Sequence, residues 1–211
     1  MYVPKHFEQT EVEAIQALIT ANPLGSLVAV GPSGLGANHI PFELVAEPNP
    51  YGALFGHIAR ANPLWREVSE GSEALVIFLG ANAYISPSWY PSKKSHGKVV
   101  PTWNYVVAHA HGRIRFIDDV DWVSAHIERL TNREESGFAQ PWSVRDAPSD
   151  FTEKMLGAVI GIEIAITSLD GRWKVSQNRS NPDRSGVAEA LRKQGAAGAH
   201  EMAAYIEDAK S

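Results

Sequence analysis

From Val106 to Phe116 the chain alternates. Val106, Ala108, Ala110, Gly112, Ile114 and Phe116 hold the even positions, and Val107, His109, His111, Arg113 and Arg115 hold the odd ones. A period of two is the pattern of a strand with one buried face. "GAVIGIEIAI" repeats it, with Ile160, Ile162, Ile164 and Ile166 on one side. "EALVIFLG" is a continuous apolar run of strand length, which reads as a strand buried on both faces. "GSLVAVGPSGLGANHIPFEL" predicts a hairpin turning at Gly31 to Gly34, "GALFGHIA" a further strand, and "DGRWKVSQN" a turn followed by a short strand.

Helical periods lie between these stretches. Val12, Ile15, Leu18 and Ile19 share a face, with Thr10 and Glu13 spaced as a capping box and Asn22-Pro23 as the stop. "ANPLWREV" suits a short helix with proline in its first turn. After Asp118 or Asp119 as N-cap, Trp122, Val123, His126, Ile127 and Leu130 form one stripe. Asn132 to Asp150 is polar, holds two prolines, and reads as a surface connection. Asp183 to Asp208 predicts two short helices broken at Gly195 to Gly198. The fold class is therefore mainly β with peripheral α-helices, a closed or partly closed barrel. Residues 1–211 read as a single domain with a helical tail from about 182 to 211.

One segment has no single period. Tyr84 to Tyr105, "YISPSWYPSKKSHGKVVPTWNY", holds three prolines, five aromatic rings, one histidine and three lysines. Rings and cations gathered in a loop suit a planar, negatively charged ligand, or a structural wrap around a dimer.

Composition narrows the classes. Net charge is −5, so no basic footprint for nucleic acid stands out. There are no cysteines, which excludes disulfides, thiolate catalysis and cysteine metal sites and favours a cytoplasmic location. No apolar run reaches the ~20 residues that span a bilayer, and "MYVPKHFEQT" lacks the pattern of a signal peptide. GxGxxG, GxxxxGK[ST] and GxSxG are absent. His109-x-His111 puts two imidazoles on one strand face, but no third ligand stands at a supporting spacing. The expectation is no metal and a wet or interfacial sheet face. No catalytic residue is identified.

"MYVPKHF", "ANHIPFEL", "GHIARANPLW", "AYISPSWYPSKKSHGKVVPTWNY", "AHAHGRIRFID" and "GRWKVSQNR" occur here in the order and style of a known family. From Met1 to Gly186 the chain resembles the PaiB family of FMN-binding negative transcriptional regulators. The resemblance implies an FMN-binding split β-barrel, related to the pyridoxamine-phosphate oxidase and flavin reductase group. It further implies a homodimer with flavin at the subunit interface. Arg60 occupies the place where related barrels carry a phosphate-binding basic residue. His57 and Asn62 flank it, and a helix N-terminus at Asn62-Pro63 would add its dipole. Lys93, Lys94 and Lys98 are alternative cations. Trp103, Asn104, Tyr105, Lys174 and Gln177 are candidates for the isoalloxazine.

Three functions stay open under the resemblance: a regulator acting through flavin, a flavin-dependent oxidoreductase acting on a small molecule, or a sensor or carrier that binds flavin or another cofactor without turnover. Direct DNA binding is open but not supported by charge. The second terminal helix carries Glu201, Glu207 and Asp208 against Lys210.

Overall fold

The computed structural model describes residues 1–46 and 49–209 and turns each period-2 stretch into a strand. The strands are β1 (Glu8–Gln9), β2 (Leu24–Gly31), β3 (Gly34–Pro41), β4 (Glu43–Val45), β5 (Ala53–Ala59), β6 (Glu73–Ile85), β7 (Thr102–Ile117) and β8 (Val159–Lys174). The helices are α1 (Val12–Ala21), α2 (Leu64–Glu67), α3 (Ser92–His96), α4 (Val120–Glu135), α5 (Ser149–Gly157), α6 (Asn181–Gln194) and α7 (Ala199–Asp208). Strand order is β3-β2-β6-β7-β8-β5-β4, with β1 added to β8, and this path does not close on itself. Every pairing with a described register is antiparallel.

The chain forms two compact units. One holds Met1–Asn22, Phe78–His109 and Asp170–Ser211; the other holds Pro23–Ile77 and Ala110–Leu169. β6, β7 and β8 each contribute a segment to both.

In the second unit β2 and β3 form the expected hairpin, Gly31 facing Gly34 across the turn. Gly34 has φ +99, a backbone conformation that glycine adopts without a Cβ penalty. The core is Leu27, Ile40, Phe42, Leu54, Ile58, Val76, Ile114 and the isoleucines of β8, all buried. α4 starts at Asp119, whose carboxylate accepts from the Trp122 N–H at 2.9 Å. A Cβ at Gly161 would come within 2.4 Å of the Trp122 ring, so glycine lets that indole lie directly on the strand.

In the first unit Ile15, Leu18 and Ile19 of α1 are buried, with Leu18 against Gly80 of β6. Val187, Leu191, Met202 and Ile206 bury the facing sides of α6 and α7. Arg184, itself buried, donates to the carbonyls of Ile206 (2.6 Å) and Ala209 and caps α7.

Several boundaries differ from the sequence reading. The N-cap of α1 is Glu11 and makes no side-chain cap, so Thr10 and Glu13 form no capping box. "DGRWKVSQN" contains no turn at Asp170-Gly171, because β8 runs unbroken to Lys174 and pairs there with β1. The polar connection ends two residues into α5, a helix after Pro148 that the sequence reading did not assign. The terminal helices begin two residues earlier, with Ser180 as a side-chain N-cap. Lys210 lies outside the described residues.

Candidate functional site

The ring-rich segment is not one loop. Tyr84 belongs to β6, and Trp103, Asn104 and Tyr105 belong to β7. Alternation therefore continues backwards to Thr102. Asn104 takes a core-facing position and is buried, while Trp103 is 55% exposed and meets Tyr84 edge-on at 6.1 Å.

In the second unit three of the expected site residues stand on β5 and the turn after it. Arg60 forms a two-pronged pair with Asp118 (2.9 and 2.5 Å) and donates to the carbonyls of Gly157 (2.8 Å) and Val159 (3.4 Å). Hydrogen bonding to Asp118 raises the Arg60 pKa and lowers that of Asp118. Asn62 caps α2 by accepting from Leu64 N–H (3.0 Å), and its amide donates to Asn38 (2.8 Å). α2 has only four residues, and Asn62 satisfies its first N–H. The expected helix-dipole site for phosphate is thus a single turn whose leading donor is already taken. Asn62 and Asn38 line an open pocket of about 630 Å³ floored by Gly34, Gly36, Ala37 and Ala59.

His57 leads to residues the sequence reading did not select. Its Nδ1 lies 3.3 Å from Nε2 of His126, whose Nδ1 lies 3.3 Å from the Glu43 carboxylate. Arg129 donates to the same carboxylate at 3.0 Å, and Trp122 stacks on His126. The carboxylate can only accept, so neutral His126 carries its proton on Nδ1 and offers Nε2 as acceptor. His57 must then donate from Nδ1, which leaves its own Nε2 bare. Burial pushes the His126 pKa down to about 4, with the Glu43 hydrogen bond opposing, and burial also lowers that of His57. A histidine inside an apolar helical stripe was the available signal for this chain.

The first unit brings together Asn104, Tyr105 and Lys174. Lys174 donates to the Thr102 hydroxyl at 2.6 Å and lies 5.9 Å from the Tyr105 ring, over which Arg172 also sits at 5.1 Å. Asn104 donates to Ser176 at 2.9 Å. Gln177 is turned inward: it accepts from Val175 N–H (2.9 Å) and donates to Trp173 C=O (2.5 Å), stapling the turn that follows β8. Lys93 is exposed and donates to Ser88 (3.1 Å). Lys98 is exposed, its backbone N–H bonded to His96. The structure does not gather these two lysines with Lys174. His109 and Asp170 bring ligand atoms within 4.8 Å, a pairing that sequence spacing did not reveal.

A family profile described as "Putative FMN-binding domain" matches residues 1–168. Over 208 residues the chain is 30% identical to "Protease synthase and sporulation protein PAI 2" of Bacillus subtilis, covering 99% of this chain and 97% of that one. The chain belongs to the PaiB-type FMN-binding family. An uncharacterized protein of Emericella nidulans is 34% identical over 230 residues, with 92% of each chain covered. Among solved structures, the FAD and heme binding protein from Mycobacterium smegmatis matches with a TM-score of 0.57 at 20% identity, over 79% of this chain and 73% of that one. That likeness is one of fold. The split barrel implied by the sequence is the fold, with its sheet unclosed.

FMN is the cofactor of this family and of this chain. A flavin nucleotide needs a flat, roomy surface, a few amide partners and a cationic place for phosphate. The 630 Å³ pocket meets the first two needs and not the third: small residues line it, but its one charged residue is Glu67 and it holds no Lys or Arg. Its amides are Asn38 and Asn62.

Proposed function

We propose that this chain is a cytoplasmic FMN-binding homodimer that acts on transcription through flavin rather than by reading DNA. Family membership carries the flavin part of this reading. The Bacillus relative has protease synthase and sporulation in its name, which supports a regulatory setting. Among the described residues no helix is long and apolar enough to cross a membrane, and the chain has no cysteine.

In this reading the 630 Å³ pocket would hold the flavin ring, with Asn38 and Asn62 as the amides nearest its polar edge. β3 is an exposed edge strand with Leu35 79% exposed, and Val30 on β2 is 63% exposed. An apolar edge of this kind gains from a second copy that covers both strand and flavin. Against direct DNA reading stands the chemistry of the tail. Arg184 caps α7, Arg192 pairs with Glu207 at 2.6 Å, and Lys193 pairs with Glu189 at 2.6 Å. The cations of α6 are thus bound to this chain's own groups, whereas a phosphate-facing helix needs them free.

A second reading is a flavin-dependent oxidoreductase, favoured by the Glu43–His126–His57 chain. Bound FMN supplies the redox chemistry in that case. His57, with its tautomer held by His126, takes up a proton at Nε2.

Visible absorption of the purified chain tests the flavin reading: a yellow protein releasing FMN is expected, and a colourless protein that takes up no added FMN would falsify it. Gel shifts at several salt concentrations test the indirect mode. Tight, salt-dependent retention of DNA by the chain alone would sink it. Turnover of a nicotinamide donor by the flavin-loaded protein, lost in His57→Gln, would favour the second reading.

A further inference from the structure

Arg60 and the start of α2, the places the family resemblance offered to a phosphate, are both engaged by this chain's own groups. The first unit holds a better-built anion site. A pocket of about 110 Å³ opens between the end of β8 and the start of β7, lined among others by Tyr90, Thr102, Asn104, Lys174, Ser176 and Arg179. Its volume is far below the several hundred Å³ of pockets for drug-sized ligands. It suits a single tetrahedral group.

Four observations converge there. First, the lining is cationic, with Lys174 and Arg179. Arg172, Lys174 and Arg179 lie close enough that burial and then the two arginines lower the Lys174 pKa. No carboxylate lines the pocket. Asp183, beside the pocket, interacts with Arg179 and Tyr90 and offsets part of this charge; burial would raise its pKa, but bonds from Ser92 and Ser180 hold it low. Second, Tyr90 is 2% exposed, and Arg179 approaches its hydroxyl without reaching good hydrogen-bond geometry. Arg179 sits over its ring at 4.9 Å, and its charge only partly offsets the burial that raises the Tyr90 pKa. Third, the Ser176 hydroxyl is oriented as a donor. Ser176 accepts from Asn104 and keeps its own proton to give, whereas Thr102 accepts from Lys174 and donates to the Trp103 carbonyl at 3.5 Å. Fourth, Ser176 has φ 65 and is buried, and it is the one non-glycine residue at positive φ among the described residues. Backbone held in a sparsely populated region clusters at ligand sites. Gln177 staples this turn shut from both sides.

We propose that this pocket binds a phosphate-type oxyanion through Lys174, Arg179, Ser176 and Tyr90. The anion is either the phosphate of a flavin nucleotide or free phosphate. The proposal rests on the pocket and stands apart from the flavin reading.

The test uses the full chain in a phosphate-free buffer, titrated calorimetrically with inorganic phosphate, and with FMN or riboflavin followed by fluorescence. Lys174→Met removes the charge. Tyr90→Phe removes the buried hydroxyl, and Ser176→Gly removes a donor and relieves the positive φ, while leaving the buried Asn104 amide without its acceptor. Phosphate should bind wild type and weaken about ten- to a hundredfold in Lys174→Met, with smaller losses in the other two. If the anion is the flavin's own, phosphate competes with FMN but not with riboflavin, and Lys174→Met weakens FMN alone. If it is free phosphate, phosphate binds beside FMN and flavin affinity does not change. A chain that binds phosphate in this pattern and takes up no flavin keeps the pocket and loses the flavin reading. Three variants that remain folded at the assay temperature and leave both phosphate and FMN affinity unchanged would overturn the proposal.

Discussion

Arg60 shows how much a residue's role depends on its neighbours. From sequence it is a cation at a strand-to-helix turn, open to phosphate. In the fold it closes a two-pronged bond to Asp118 and two bonds to the carbonyls flanking the start of β8. Arg60→Ala should therefore lower the melting temperature and leave the ratio of FMN to riboflavin affinity unchanged. A loss confined to FMN would return Arg60 to the phosphate site. His126 makes the opposite point, since its neighbours leave it neutral. Its folded pKa is about 4, below the ordinary value of 6.5. The unfolded chain takes up the proton first, so the stability due to neutral His126 is full above about pH 6.5 and is lost as pH falls towards 4. The total is on the order of 3 kcal/mol. Urea unfolding at pH 7 and pH 4.5 should show a difference between wild type and His126→Gln that shrinks on acidification. A difference that holds constant with pH would remove His126 as its cause.

Elements that obey one period from end to end were readable without coordinates. The even face of β7 is buried from Asn104 to Ile114, and the odd face keeps Arg113 and Arg115 exposed, with Arg115 paired to Glu163 at 2.6 Å. The ends of elements were less readable. β8 continues through Asp170-Gly171 because β1 pairs with it at Gln9 and Glu8, a partner 160 residues away that no local turn preference can anticipate. Gly112 is an element-scale constraint of the same origin. A Cβ there would lie 2.4 Å from the Ala165 carbonyl and 2.6 Å from Ile164. Gly112→Ala should cost about 1–3 kcal/mol or more, since backbone and a branched side chain must both shift. Chemical denaturation would show it, and a variant as stable as wild type would mean that β7 and β8 separate freely.

At the scale of the molecule the exposed edge of the sheet bears on association. β2 and β3 leave Leu24, Val30 and Leu35 largely in solvent, on strands whose outer hydrogen-bonding groups β3 presents unpaired. Sedimentation at micromolar concentration should give twice the 23.0 kDa chain, and Leu35→Lys should shift it towards the monomer. A single-chain mass with and without FMN contradicts the dimer.

The sequence by itself determined the periods, and with them most strands, the amphipathic helices and the side of each that is buried, because burial of alternate or 3.6-spaced residues depends only on the local pattern. Its motifs also carried the flavin family. Only the tertiary structure decided which polar groups meet. Asn104 and Ser176, Lys174 and Thr102, and Glu43, His126 and His57 are joined across 69 to 83 positions of chain. Such pairs rest on the register of strands distant in sequence, and register is set by the packing of the whole core, not by any residue's immediate neighbours.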